Sequence, residues 1–457
     1  MSGFLFSAAS FILALGVLIT VHEFGHYWVA RRVGVKVLRF SVGFGKPLWS
    51  RVYGPDRTEF VLAAIPLGGY VKMLDEREGE VPAEQLARAF NRKPVGQRMA
   101  VVVAGPAFNF MFAILAYWAL FVHGVPGVKP LLDAPVPDSP AAVAGIEVRD
   151  LLLSVDGKPT PTWERALLTL LDGALDRRSL TLEVEGADGG VRRLELDLSQ
   201  VEGLLDRGDL LERLGLRPWR PLLPAVIDRV VADGAAARAG LQAGDRILSA
   251  DGQPLPDWDA WVEYVQQRPD QTIRLTIERD DAPLQLDVRP DRATVDDAVI
   301  GRIGAYVRVP PELGAELRAE TRYGPLAAVW QSLVKTWDMS ALTLRTLWKM
   351  LVGQASLDNI SGPLSIAQYA GHSASIGLGT FLGFLAIVSI SLGVLNLLPV
   401  PVLDGGHLMY YLIELLKGSP VSERTELLGQ RIGIALLFAL MSLALFNDFA
   451  RLFGGQP

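Results

Sequence analysis

The sequence predicts a multi-pass α-helical membrane protein that carries two small α/β domains between its second and third membrane spans. Of its 457 residues, 50% are hydrophobic and the mean hydropathy is +0.27, which is too apolar for an ordinary soluble protein. Four uncharged apolar runs supply candidate spans, and a sequence pattern recurs after about 95 residues between the second and third runs.

The four apolar runs approach or exceed the length that a helix needs to cross a bilayer, which is about 20 residues. In chain order they are Phe4–Val21, Met99–Val122, Ile376–Leu403 and Ile432–Phe446. A cleavable signal peptide is the alternative for the first run, but no basic region precedes it and no small-residue cleavage site follows it. The last run is short, and it can still span if Arg431 extends toward the interface and the preceding Leu427 and Leu428 enter it.

The charge balance and the lack of cysteine narrow the function classes. A net charge of −6 and a pI near 5.6 provide no basic face, so we expect membrane lipid and not nucleic acid as a partner. Because the chain has no cysteine, any transition-metal site must use His, Asp or Glu.

Basic residues mark the connection between the first two spans as cytoplasmic, because Arg and Lys near membrane helices favour that side. These residues are Arg31, Arg32, Lys36, Arg39, Arg92, Lys93 and Arg98. We therefore expect both termini, and the segment between spans two and three, to face the other side of the membrane, which in a Gram-negative cell is the periplasm.

That exported segment contains the internal repeat. Gly145, Asp150, Asp156, Gly157 and Trp163 recur as Gly240, Asp245, Asp251, Gly252 and Trp258. Each copy predicts an Ala-rich helix, a strand (Leu151–Val155 or Arg246–Ala250), an Asp-Gly turn and a helix that contains the Trp, with later strands at Ser179–Val184 and Thr272–Ile277. The pattern resembles a tandem pair of PDZ domains of the bacterial protease type.

These features divide the chain into five predicted segments. They are an N-terminal membrane half (1–124), a first PDZ domain (125–220), a second PDZ domain (221–310), amphipathic linker helices (311–375) and a C-terminal membrane half (376–457). Within the first segment, Val42–Gly45 and Ile65–Lys72 combine strand-forming residues with glycine, which predicts β-hairpins beside the membrane helices.

A His-Glu-x-x-His motif, His22-Glu23-Phe24-Gly25-His26, stands at the end of the first apolar run. Helical spacing places the two histidines one turn apart, where both can reach one zinc ion, and places Glu23 beside a zinc-bound water. Two hydrogen-bonded histidines on a polar helix face are the structural alternative. Because burying two His and a Glu in a membrane is costly, a functional zinc site is the better interpretation.

Two histidines leave a catalytic zinc without its third protein ligand. Asp404 is the candidate, since it lies at the end of an otherwise uncharged run that is interrupted by Pro399 and Pro401. A helix cap or an interfacial turn is the alternative role for Asp404. His407 is a weaker candidate, because the carboxylate three residues earlier already completes the set.

At these residues the sequence resembles the site-2 protease family of intramembrane metalloproteases. Further matching segments are Gly105-Pro106-Ala107-Phe108-Asn109, Ser361-Gly362-Pro363 and the Asn-x-x-Pro-x-x-x-x-Asp-Gly stretch that runs from Asn396 to Gly405. The resemblance covers nearly the whole chain, and the catalytic positions show no departure from the family pattern.

The resemblance implies an intramembrane zinc endopeptidase in which His22, His26 and Asp404 bind zinc and Glu23 is the general base. It further implies that Asn396 helps to hold the substrate backbone, and that a β element containing Gly68, Gly69 and Tyr70 pairs with an extended substrate. The implied substrates are single-pass membrane proteins: an anti-sigma factor already trimmed by another protease, and remnant signal peptides as a second class. The PDZ domains would act as a substrate size filter.

Two other classes compete with the protease. A non-catalytic membrane scaffold would use the PDZ domains alone, but it has no need of the intact Glu23. A metal transporter also places His and Asp in a membrane. The sequence has only one such cluster, however, and no second group of polar residues that would continue an ion path across the membrane.

Overall fold

A computed structural model describes residues 2–199, 201, 210–295, 298–310, 315–357 and 360–453. The described chain forms two compact units. The first unit contains residues 2–125 and 320–452, and the second contains the described residues between 126 and 319.

Four helices of the described residues are long and apolar enough to cross a membrane. We name them the first (Ser2–Arg32), second (Val95–His123), third (Leu378–Asn396) and fourth (Glu423–Phe453) membrane helices. The fourth helix has 31 residues and begins well before Ile432, so the predicted run was too short at its N-terminal end. Thirty-one residues rise about 46 Å as a helix, which exceeds the hydrocarbon core of a bilayer.

The third apolar run does not form one continuous helix. The third membrane helix ends at Asn396, residues 397–403 form no helix or strand, and a separate helix, the aspartate helix, begins at Asp404 and ends at Lys417. The sequence predicted an interruption by Pro399 and Pro401 near the end of this run, and the break lies there. Pro399 and Pro401 fall in this break, where the lack of a backbone N–H and the restriction on the preceding residue oppose a helix.

One long antiparallel hairpin joins the first two membrane helices. Its strands are Val37–Tyr53 and Thr58–Met73, and its register shifts several times, so that Val42 pairs with both Gly69 and Leu62 while Phe44 pairs with Ile65. The two glycine-containing segments predicted as hairpins are thus opposite strands of a single hairpin. Two 3₁₀ helices, Ala83–Arg88 and Phe90–Arg92, then lead into the second membrane helix.

Several basic residues that flank the hairpin are paired with acids. Nε of Arg92 lies 2.6 Å from Oε2 of Glu76, and with Asn91 it lowers the pKa of Glu76 to about 2. Nη2 of Arg39 lies 2.7 Å from Oε2 of Glu59. The topology prediction is unaffected by this pairing, because the positive-inside rule counts Lys and Arg and is not a rule of net charge.

A carboxylate of the fourth membrane helix caps the helix Pro363–Ile376. Asp448 is 1% exposed, and it accepts hydrogen bonds from the backbone N–H of Gly362 at 3.0 Å and of Leu364 at 2.9 Å. A Cβ at Gly362 would lie 2.7 Å from the Ala444 carbonyl oxygen, so the close approach requires glycine. The Ser361-Gly362-Pro363 segment is therefore the point where two helices of the C-terminal half join.

The second unit contains two domains with the same sheet order. We call them the first and second repeat domains. In the first, the strands lie in the order Lys158–Pro159, Leu151–Val155, Leu180–Glu185 and Val191–Leu196, with the helix Trp163–Asp176. In the second, the order is Gln253–Pro254, Arg246–Ala250, Ile273–Arg279 and Ala282–Val288, with the helix Trp258–Gln266.

The repeated aspartates occupy matching positions. Asp150 is bound by Nη2 of Arg192 at 2.6 and 2.7 Å, and Asp245 is bound by Nε and Nη2 of Arg279 at 2.7 Å each. Asp156 and Asp251 both have positive φ, at 51° and 49°, in the tight turn before glycine. The strands, turns and Trp-containing helices predicted from the repeat are confirmed.

The remaining elements are short, apart from one helix of the first unit. The strands are Val125–Val128, Ile227–Val230, Asp291–Val295, Ala298–Arg302, Ala305–Val307 and Arg318–Thr321. The helices are Pro140–Val143, Leu210–Leu214, Ala235–Arg238 and the longer Pro325–Leu351, whose buried face is formed by Ala328, Ser332 and Thr336.

Candidate metal centre

The two histidines of the first membrane helix and the first residue of the aspartate helix converge on one point. Nε2 of His22 lies 3.2 Å from Nε2 of His26. Oδ2 of Asp404 lies 3.2 Å from His22 Nε2 and 3.5 Å from His26 Nε2. Among the described residues, these three form the one group of His, Asp or Glu side chains close enough to share a metal ion.

The spacing of these three atoms fits a zinc ion. Tetrahedral nitrogen and oxygen ligands at about 2.0–2.1 Å from zinc are about 3.3–3.4 Å from each other, which matches the separations between these atoms. Oδ2 of Asp404 is also buried without a well-formed hydrogen bond, although two imidazole nitrogens lie near it. A buried carboxylate oxygen without a partner is unfavourable unless a cation compensates it.

The outer nitrogens of both imidazoles have defined neighbours on the second membrane helix. Nδ1 of His26 donates to the Val101 carbonyl oxygen at 2.8 Å, and Nδ1 of His22 lies 3.2 Å from Nδ2 of Asn109. Such contacts orient the rings and direct each Nε2 toward the shared point. The sequence offers no direct signal for a backbone carbonyl such as that of Val101.

Glycines allow the first two membrane helices to approach each other at the site. A Cβ at Gly105 would lie 2.6 Å from Cε1 of His26 and 2.7 Å from Cε1 of His22, so both imidazoles rest on this glycine. At the same crossing, a Cβ at Gly25 would lie 2.8 Å from the backbone carbon of Ala104. The Gly105-to-Asn109 segment, which the sequence marked only by resemblance, is thus the surface that supports the two histidines.

Glu23 lies beside the histidines and is partly exposed. Its carboxylate accepts no hydrogen bond from the other described residues, so it remains available to a water or a substrate. The hairpin reaches this residue: a Cβ at Gly69 would lie 3.0 Å from Cγ of Glu23 and 2.8 Å from Cγ2 of Ile19. The hairpin strand therefore passes directly along the helix that carries the motif.

The other two predicted substrate-binding residues, Gly68 and Tyr70, make contacts within the hairpin. Gly68 has φ of 125°, which strains any other residue type, and the Phe44 ring occupies the space that its Cβ would need. The hydroxyl of Tyr70 accepts a hydrogen bond from Arg39 at 3.1 Å, and its ring stacks on Phe44 with centroids 6.2 Å apart. Of the three predicted substrate residues, Gly69 is therefore the one placed against Glu23.

Asn396 and His407 lie on the elements that flank the helix break. Asn396 is the last residue of the third membrane helix and is partly exposed, and its side chain makes no hydrogen bond with another described residue. His407 is exposed on the aspartate helix and is not part of the group formed by His22, His26 and Asp404. The alternative of Asp404 as a capping residue has no support, since the N-cap of this helix is Leu403.

Two histidines one turn apart, a largely buried aspartate and a glutamate that is unpaired among the described residues form the donor set of a zinc-dependent hydrolase. Comparison with known protein families agrees with this interpretation. The model of the family described as "Peptidase family M50" matches residues 10–440 of the chain. The chain belongs to peptidase family M50 and is a zinc metalloprotease with Zn²⁺ as its cofactor.

Its relatives match it over their whole length. It is 48% identical over 454 residues to the regulator of sigma E protease of Salmonella typhi, covering 99% of this chain and 100% of the relative. It is 48% identical over 455 residues to the regulator of sigma-E protease RseP of Escherichia coli K12, with the same coverage of 99% and 100%. For the regulator of sigma E protease of Haemophilus influenzae the identity is 43% over 452 residues, covering 98% and 100%.

A search of solved structures found a PDZ domain of an SdrC-like protein from Listeria monocytogenes. It is 22% identical, covers 20% of this chain and 92% of that chain, and has a TM-score of 0.17. This score is too low to support an argument about the repeat domains.

Proposed function

We propose that this chain is an intramembrane zinc endopeptidase that cuts single-pass membrane proteins, with His22, His26 and Asp404 as zinc ligands and Glu23 as the general base. The observation that carries the proposal is the convergence of three ligand atoms beside an unpaired glutamate, at the end of an apolar helix. Burying an ionisable cluster at such a position costs free energy, so residues of this kind in a membrane helix usually have a function.

Zinc, when bound, polarises a carbonyl and makes a coordinated water acidic enough to react near neutral pH. The protein residues supply the rest of the chemistry. Glu23 accepts a proton from the attacking water and returns it to the leaving amine, which requires a carboxylate with no competing hydrogen bond. His26 and His22 keep their orientation through the contacts of their Nδ1 atoms with the second membrane helix.

A transmembrane substrate must unwind before it can be cut, because the amides of a helix are already hydrogen-bonded within it. We propose that the strand around Gly68, Gly69 and Tyr70 pairs with the unwound segment, and that the free amide of Asn396 receives another backbone group. These bonds offset a cost of several kcal/mol for each backbone group left unpaired in lipid. The contact between Gly69 and the Glu23 helix supports this arrangement.

For the setting of the enzyme, we propose a bacterial inner membrane with both termini and the two repeat domains in the periplasm. The active site then lies near the cytoplasmic face, since the basic residues follow the motif helix. The relatives are named regulators of sigma-E protease, which supports a pre-trimmed anti-sigma factor as the substrate class. Remnant signal peptides are a second candidate class.

The repeat domains are proposed to be PDZ domains that filter substrates by size. In the proposed topology they lie across the membrane from Glu23, so they exclude a bulky exported domain or bind a newly exposed terminus without touching the scissile bond. Deleting residues 126–308 should leave cleavage of a short-tailed substrate within about tenfold of wild type and increase cleavage of the untrimmed substrate. Loss of short-substrate cleavage in a folded, zinc-loaded deletion protein would contradict the filter.

The catalytic assignment is tested with Glu23→Gln. This substitution removes the base and keeps the three proposed ligands, so cleavage should fall at least about 10³-fold while zinc content stays at that of wild type. Cleavage by Glu23→Gln at a rate near that of wild type would exclude Glu23 as the general base.

A further inference from the structure

Asn109 is a buried polar residue whose side chain lies against the outer nitrogen of the proposed zinc ligand His22. It is 0% exposed and lies on the second membrane helix one turn after Gly105, the glycine on which both imidazoles rest. Its backbone carbonyl accepts a hydrogen bond from Oγ of Ser389 at 2.9 Å, which ties it to the third membrane helix. An amide side chain at such a buried place needs hydrogen-bond partners.

The recorded polar contact of the Asn109 side chain is with His22. Its Nδ2 lies 3.2 Å from Nδ1 of His22, and its Oδ1 is buried without a hydrogen-bond partner. The amide nitrogen can only donate, so in this orientation Nδ1 of His22 must be the acceptor. In a neutral imidazole the proton then sits on Nε2, the atom that faces Asp404 at 3.2 Å.

Zinc binding requires the opposite tautomer. Nε2 must offer its lone pair to the metal, so the proton has to be on Nδ1, where it needs an acceptor. Rotating the amide of Asn109 by 180° brings Oδ1 to the place of Nδ2 and supplies that acceptor. The oxygen and nitrogen ends of an amide have nearly the same shape, so the rotation needs no repacking.

We propose that Asn109 is the positioning residue of His22, and that its amide fixes the tautomer of this ligand. With Oδ1 toward the ring it accepts from Nδ1–H and holds the tautomer whose Nε2 lone pair can bind zinc. This inference rests on the proposed ligand set of His22, His26 and Asp404.

The tautomer of the second histidine, His26, is fixed by a backbone group. Nδ1 of His26 faces the Val101 carbonyl oxygen, which only accepts, so His26 is held permanently in the tautomer with a free Nε2. The two ligands therefore differ in a testable way: one has a fixed backbone partner, and the other has a side-chain partner that mutation can remove.

The test measures zinc affinity directly, by competition with a chromophoric chelator on the purified full-length protein in detergent. Asn109→Leu keeps the size of the side chain and removes both hydrogen-bonding ends, so zinc affinity should fall about 10- to 100-fold. Asn109→Asp keeps an acceptor for Nδ1–H and should bind zinc within about threefold of wild type. Asn109→Ala carries the same expectation as Asn109→Leu, in case the leucine variant does not fold.

Two controls separate the possible outcomes. Ser389→Ala removes a neighbouring buried hydrogen bond and should leave zinc affinity unchanged, while His22→Ala should lower it strongly. Loss in His22→Ala together with wild-type affinity in Asn109→Leu would overturn the role of Asn109 alone. Equal losses in Asn109→Leu and Asn109→Asp would overturn the hydrogen-bond role, and wild-type affinity in His22→Ala would overturn the ligand set itself.

Discussion

Gly105→Ala should remove zinc from the site without weakening the second membrane helix. The added Cβ would lie 2.6 Å from Cε1 of His26 and 2.7 Å from Cε1 of His22. A normal separation of carbon atoms is about 3.5 Å, so each ring must move by about 0.8–0.9 Å. Metal–ligand distances tolerate about 0.2 Å, so the displaced rings no longer match the geometry that zinc requires.

The expected loss is at least 10- to 100-fold in zinc affinity, which corresponds to about 1.4–2.7 kcal/mol. Helix propensity acts in the opposite direction, since Ala is preferred over Gly by about 1 kcal/mol within a helix. A general loss of stability therefore does not explain the expected result. Zinc affinity is measured by chelator competition, and folding by circular dichroism and by thermal unfolding in detergent.

Gly16→Ala is the matched control. Gly16 lies on the first membrane helix, and its added Cβ would meet no atom within 4 Å. It should bind zinc as wild type does. If a folded Gly105→Ala protein also bound zinc within about twofold of wild type, the imidazoles would not rest on Gly105 as described.

Three further predictions follow from the geometry. Asp404→Ala should lower zinc affinity by at least about tenfold, and a full equivalent of zinc held as tightly as in wild type would exclude Asp404 as a ligand. Gly69→Ala places a Cβ 2.7 Å from the Ser41 carbonyl oxygen and 3.0 Å from Cγ of Glu23, so it should shift the strand against Glu23 and lower kcat about tenfold while zinc content stays constant; a fall in zinc content alone would contradict this. Cysteines introduced at Ser154, which is 6% exposed, or at Ser249 should react with an impermeant maleimide from outside once the protein is opened locally, and one at Arg32 should not. Labelling at Arg32 in sealed cells would reverse the proposed topology.

The ligand residues could be chosen from the sequence because two of them are a local pattern. His22 and His26 are one helical turn apart, and the separation of such residues is set by helix geometry. Asp404 was recognisable because an isolated carboxylate next to an apolar run needs a reason to be there. The structure places these three side chains together.

The supporting contacts could not be predicted in the same way. A backbone carbonyl such as that of Val101 exists at every position, so the sequence does not show which one accepts from His26. The role of Gly105 depends on the crossing of two helices about 80 residues apart, which is a property of packing. Asn109 is noticeable in the sequence because it is an amide within an apolar run, but the sequence does not identify its hydrogen-bond partner.

Local sequence patterns also do not show which segments pair with each other. Val42–Gly45 and Ile65–Lys72 each have the composition of a strand and a turn, and only their mutual pairing shows that they form one hairpin. Pro399 and Pro401 marked the interruption of the apolar run that ends at Leu403, but hydropathy does not show the residue at which the helix ends, which is Asn396. The strands and helices of the repeat domains were predicted more accurately, because the same pattern of residues occurs in both copies.

The central claim is that this protein cuts a peptide bond within a transmembrane segment by zinc-dependent chemistry at Glu23. The most direct measurement incubates purified wild-type and Glu23→Gln protein with a single-pass substrate in detergent, with and without chelator, and identifies the products by mass spectrometry. We expect a cut within the apolar segment of the substrate that appears only with wild-type protein, stops when zinc is removed and returns when zinc is restored. A cut that persists in Glu23→Gln, or that is unaffected by chelator in wild type, would contradict it.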